Sequence, residues 1–157
     1  MSGLDVSHLS PQDAVAALRS FPRRFAALFE LDEGEDESVL EPVVEHTDQA
    51  GRDLAVLAAA VDAALVHDNA VVHPAVLDQG ARTYPDVAEV DADAALDLLK
   101  LEADALAARA EHVGAEEWGR KAKVAGAGEI TALDILREAV RTTSGHLREA
   151  EKARPRG

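Results

Sequence analysis

The chain has 157 residues, enough for one domain with a real core. Its 30 acidic side chains against 16 basic ones give a formal net charge of −14, which excludes nucleic acid and an anionic membrane surface as partners. There are no cysteines, so disulfides, thiolate metal ligands and a cysteine nucleophile are excluded as well.

Apolar residues make up 47% of the chain, many of them alanine, and aromatics only 3%. Small side chains at helical spacing let helices approach closely, so packed helices are expected rather than a sheet. The start, MSGLDVSHLSPQDA, has neither a basic n-region nor an apolar h-region, and no run reaches the length of a membrane span. A soluble cytoplasmic protein is the expectation, with one domain over 1–157 and a core from about 10 to 153.

Ser10 as N-cap, Pro11 at the first helical position and Asp13 near the positive dipole end open the first helix. It is expected to run to about Leu31, with Pro22 breaking or kinking it, and to bury Val15, Leu18, Phe21, Phe25, Leu28 and Phe29. The acidic run Asp32 to Glu37 lacks the alternating acceptors and glycine of a calcium loop and reads as a solvated connection. Ser38 with Glu41 has capping-box spacing and Pro42 suits a first turn, so the second helix starts between Ser38 and Pro42 and extends to Val66. Its stripe is Val43, His46, Thr47, Ala50, Leu54, Leu57, Ala58, Val61 and Leu65.

From His67 to Val90 the breakers Pro74, Gly80 and Pro85 predict a long irregular connection with a helical turn around Ala75 to Ala81. So long a connection is either functional or the crossover of a bundle, and it is expected to cover one end of the site. Asp91 caps a third helix ending near Val113 and Gly114, with Leu98, Leu101, Ala105, Ala108 and His112 expected inward. The segment Ala115 to Ile130 holds Trp118, the basic Arg120, Lys121 and Lys123, and a Gly-Ala-Gly turn; Trp118 suits an anchor at the end of a bundle. Thr131 with Asp134 caps the last helix, whose core pattern is Ile135, Leu136, Ala139, Val140, Thr143, His146, Leu147 and Ala150.

Two histidines, His46 and His146, thus fall inside apolar stripes. A lone histidine there is more often a hydrogen-bonded core residue than a ligand, and two on facing helices meet either as a bonded pair or around a metal. Thr142 precedes His146 by one helical turn and projects the same way, which is the spacing of paired ligands in a bundle core, but its neutral hydroxyl is a poor donor. His8, His67 and His73 lie in expected solvated segments, and His112 suits the negative end of the third helix.

His46 followed by Asp48, then HDNAVVHP, then EEWGR at Glu116 to Arg120, then GEITALDILREAV leading to His146 and Leu147, occur in an order that resembles the DinB-like superfamily. This superfamily is also described as YfiT-like metal-dependent hydrolases and is related to the N-terminal domain of mycothiol-dependent maleylpyruvate isomerases and to bacterial thiol transferases. The resemblance covers the chain from about Ala14 to the C-terminus.

It implies an all-α, up-down-down-up four-helix bundle with a long connection between helices 2 and 3, often a homodimer, and a divalent metal, commonly zinc or nickel, on three side chains. Carried over, those positions are His46, His146 and Thr142, the last being histidine or glutamate in the family. The departure at Thr142 lowers the expected affinity.

Two functions stay open at this point. One is metal-dependent transfer of a low-molecular-weight thiol, of the mycothiol or bacillithiol type, onto a small electrophile, with the basic cluster at Arg120, Lys121 and Lys123 receiving the thiol's carboxylate and the site lined by the long connection and Gly119 to Glu129. The other is a non-catalytic, metal-depleted bundle that binds a small molecule or serves as a dimeric scaffold. A hydrolase ranks third, for want of a general base beside the two histidines.

Overall fold

Four helices account for most of the chain: α1 (Pro11–Ala27), α2 (Glu41–Val66), α3 (Ala92–Glu111) and α4 (Ala132–Ala153). The computed structural model describes residues 5–154, so residues 1–4 of the N-terminal segment lie outside the described residues. Each start follows from a local cap. Ser10 accepts from the Asp13 N–H, Asp91 from Ala94, and Thr131 and Asp134 form a reciprocal capping box. The second helix begins differently from the expected Ser38–Glu41 box. Asp36 accepts from Ser38 and opens a 3-10 turn, Glu37–Leu40, that runs straight into α2.

α1 stops at Ala27, and the chain continues through Pro22 without a break. The missing N–H costs one intrahelical bond, while Phe21 and Phe25 are buried on the same face and hold the turn in place. The acidic run is mostly exposed, as expected, but Glu35 accepts from the buried Arg154 at 2.8 Å and so ties the end of α4 to this loop.

α1 and α2 each pack against both α3 and α4, so the order around the bundle is α1, α3, α2, α4. Cross-helix contacts give the directions. Arg137 near the start of α4 donates to Leu9 O just before α1, and Arg24 meets Glu151 at the other end, so these two run parallel. Arg109 with Asp62, and Gly51 against Leu98, make α2 and α3 parallel, whereas Arg19 with Glu111 sets α1 against α3. His46 near the start of α2 meets His146 near the end of α4. The topology is up-down-down-up.

The parallel pair α2 and α3 requires the chain to return the length of the bundle, which is what the connection after Val66 does. It opens with β1 (Ala70–Val72), continues through 3-10 turns at Pro74–Leu77, Gln79–Ala81 and Val87–Glu89, and reaches Asp91. The turns at 74–81 match the expected helical turn; the strand was not anticipated. β1 pairs in parallel with β2 (Lys121–Val124), and β2 pairs antiparallel with β3 (Gly128–Thr131), a small sheet closing the end of the bundle where α4 starts. Trp118, in a short turn packed against α4, is buried at that same end.

The α3 face differs from expectation. Ala95, Leu99, Ala103, Leu106, Ala107 and Ala110 are buried, while Leu101 is 64% exposed and Ala105, Ala108 and His112 face solvent. Alanine occupies both faces of this helix, so periodicity alone does not select one.

Candidate functional site

α2 and α4 run antiparallel in contact, and this brings two rings from opposite ends of the sequence together. The Nδ1 atoms of His46 and His146 are 3.3 Å apart, with ring centroids 5.6 Å apart and planes tilted by 46°. His146 is buried and His46 half-buried. Burial lowers the His46 pKa first, the neighbouring His146 lowers it further, and Glu45 and Glu149 oppose the change.

The other nitrogen of His146 meets a carboxylate that the sequence reading passed over. Asp53, fully buried on α2, places Oδ2 2.8 Å from His146 Nε2. Its Oδ1 accepts from the Tyr84 hydroxyl at 2.7 Å and lies 3.4 Å from Arg82 Nη1. Burial and the bond to Asp53 push the Tyr84 pKa up to about 12. A carboxylate in this setting is an acceptor only, so His146 Nε2 carries the hydrogen. Gln79 places its amide nitrogen 3.1 Å from the same Nε2; as that ring nitrogen carries a hydrogen, the amide is assigned turned over, with its oxygen facing the ring.

Gln79, Arg82 and Tyr84 all come from the long connection, which therefore covers the pair as expected. Arg82 Nη2 also donates to Val76 O and folds this segment on itself. The sequence did hold a signal for Asp53: it follows His46 by two helical turns, on the same face, between Ala50 and Leu57.

Thr142 is buried one turn before His146, and its hydroxyl donates to Glu138 at 3.3 Å. Glu138 is in turn forked onto Arg141, whose pKa that bond raises. The carboxylate nearest the third position is therefore already committed to a cation. Asp48 is bonded to Arg52 at 2.9 Å. Among the described residues no cluster of three or more histidine, aspartate or glutamate side chains is placed to hold a metal.

The basic cluster lies elsewhere. Arg120 donates to Ala64 O and Asp68 at the far end of α2, roughly 27 Å along the helix from His46 at 1.5 Å per residue. Lys121 and Lys123 point to solvent from β2. Neither this cluster nor Gly119 to Glu129 lines the histidine pair, because the hairpin precedes α4 and is held at the end where α4 begins. His8, His67 and His73 are exposed, and His73 Nδ1 accepts from Ala75 N–H as a cap.

The pair itself suits a metal in two of three positions. Two imidazoles on one tetrahedral ion, with bonds of about 2.1 Å, hold their nitrogens roughly 3.4 Å apart, close to the separation here. A ligating imidazole usually donates its other N–H to a carboxylate, and Asp53 fills that place for His146.

No family model matches the sequence, and no curated protein matches it significantly. A solved structure does. YfiT from Bacillus subtilis, described as a probable metal-dependent hydrolase with an unusual four-helix bundle topology, superposes with a TM-score of 0.72 at 15% identity, over 95% of this chain and 88% of that one. The fold is YfiT-like. At this identity the likeness carries the bundle and its topology, as the DinB-like resemblance implied. Among the described residues no helix is long and apolar enough to cross a membrane.

Proposed function

We propose that this YfiT-like chain binds one divalent cation, zinc or nickel, between His46 and His146, and uses it to transfer an external low-molecular-weight thiol, of the mycothiol or bacillithiol type, to a small electrophile. The observation that carries the reading is the facing pair of Nδ1 atoms at 3.3 Å, one ring of which is backed by a buried carboxylate. A bound divalent cation supplies Lewis acidity and lowers the pKa of a thiol placed beside it.

The chain's own residues do the rest. His46 and His146 offer neutral nitrogen donors, Asp53 orients His146, and the Gln79–Tyr84 stretch shields that bond from water. With no cysteine in the chain, the sulfur comes from outside. A homodimer and a cytoplasmic location belong to the same reading, and so does a single domain spanning 1–157.

One observation favours a second reading, a metal-depleted scaffold or small-molecule-binding bundle: Thr142 offers a neutral hydroxyl at the third position, and Glu138 beside it is held by Arg141. The test loads the purified chain with zinc or nickel and follows consumption of an electrophile with and without added thiol. Consumption that requires thiol and disappears in His146→Ala supports the transferase. Consumption by water alone would instead mark a hydrolase, and no consumption in the loaded protein would favour the scaffold.

A further inference from the structure

The fold buries a carboxylate on the apolar face of α2, where a leucine would pack at less cost. Asp53 is 0% exposed; the Tyr84 O–H and His146 Nε2–H face its oxygens as donors, and Arg82 Nη1 lies 3.4 Å away as an ion-pair partner. We infer that Asp53 is a positioning residue that fixes the tautomers of both rings in the histidine pair, so that His146 is set for a cation in advance and His46 is the ring that must change.

Asp53 accepts at Oδ2, so the neutral His146 ring carries its hydrogen on Nε2 and turns a lone pair on Nδ1 toward His46. That lone pair accepts across the 3.3 Å gap, so His46 donates from Nδ1 and is left with its lone pair on Nε2. In the metal-free chain the three side chains form a one-way chain of donors ending at a buried anion.

To ligate through Nδ1, His46 must move its hydrogen to Nε2 by exchange with solvent, with no change in the charge of the ring. His146 needs no rearrangement. The tautomer half rests on these hydrogen bonds with His146 uncharged and the Gln79 oxygen turned toward it; the cation half rests on the reading proposed above.

The test is a long-range proton–nitrogen correlation spectrum of the imidazoles in the full-length, uniformly 15N-labelled chain near pH 7.5, first metal-free and then with zinc. Metal-free, His146 is expected as the Nε2–H tautomer and His46 as the Nδ1–H tautomer. Zinc is expected to convert His46 to Nε2–H and leave His146 as it was. Asp53→Leu should release His146 to a tautomer mixture and weaken zinc binding about 10- to 100-fold, the usual effect of losing a carboxylate behind a ligand. Asp53→Asn, whose amide oxygen still accepts, should restore the Nε2–H form.

His146 found with its hydrogen on Nδ1, or His46 with its hydrogen on Nε2 in the metal-free chain, overturns the assignment, and the unmutated protein suffices for that measurement even if Asp53→Leu fails to fold. A chain that shows the expected tautomers and takes up no zinc supports the role of Asp53 and overturns only the cation reading.

Discussion

On the proposed reading Thr142 limits how strongly the pair holds a cation, because its hydroxyl proton goes to Glu138 and leaves only weak lone pairs. Thr142→His restores an imidazole one turn before His146 and should tighten zinc binding on the order of tenfold or more, read by competition with a chelator. Unchanged affinity would mean that position 142 does not converge on the pair. His46 gives a second prediction at this scale, for the metal-free protein. Its folded pKa is lowered below the ordinary value of about 6.5, mainly by burial, so the unfolded chain binds the proton more readily. The stabilisation is full above that value and is lost as pH falls through the lowered folded pKa. Melting temperature should therefore drop more steeply between pH 7.5 and 5 in the wild type than in His46→Gln; equal slopes would contradict it. His46 and His146 were legible because each interrupts an apolar stripe. Arg82 and Tyr84 were not, since they sit in an aperiodic connection and owe their place to Asp53.

At the scale of elements, α2 and α3 touch where Gly51 faces Leu98 and Leu99. A Cβ there would lie 2.9 Å from Leu98 Cγ and 3.1 Å from the Leu99 backbone nitrogen. Gly51→Ala gains about 1 kcal/mol of helix propensity, yet the overlap with a neighbouring backbone should exceed that gain and lower stability by roughly 1 kcal/mol net, seen in a denaturant midpoint. A rise in the midpoint would show that the two helices can separate at no cost. Leu101 tests the α3 face directly. Because it is exposed, Leu101→Lys should change stability by less than about 0.5 kcal/mol, whereas an inward leucine would cost roughly 2–5 kcal/mol. Caps made the helix starts readable at Ser10, Asp91 and Thr131. The small sheet was hidden because its strands are only 3 or 4 residues long, too short for an alternating pattern to register, and because β1 finds its partner β2 across the whole of α3.

For the whole molecule, periodicity predicts four helices and the length of the connection left a bundle crossover open, but the parallel α2 and α3 came from the resemblance rather than from any single stripe. A net charge of −14 repels itself over the surface, so moderate salt should raise the melting temperature of the metal-free chain; a fall would point to exposed ion pairs such as Arg19 with Glu111 as the dominant electrostatic term. On the proposed reading His46 and His146, one hundred residues apart, act as one site. Calorimetric titration of the metal-free chain with zinc, in parallel with His46→Ala and His146→Ala, tests it most directly. The account predicts one zinc per chain, abolished by either substitution. Absence of uptake, or uptake that survives both substitutions, would contradict it.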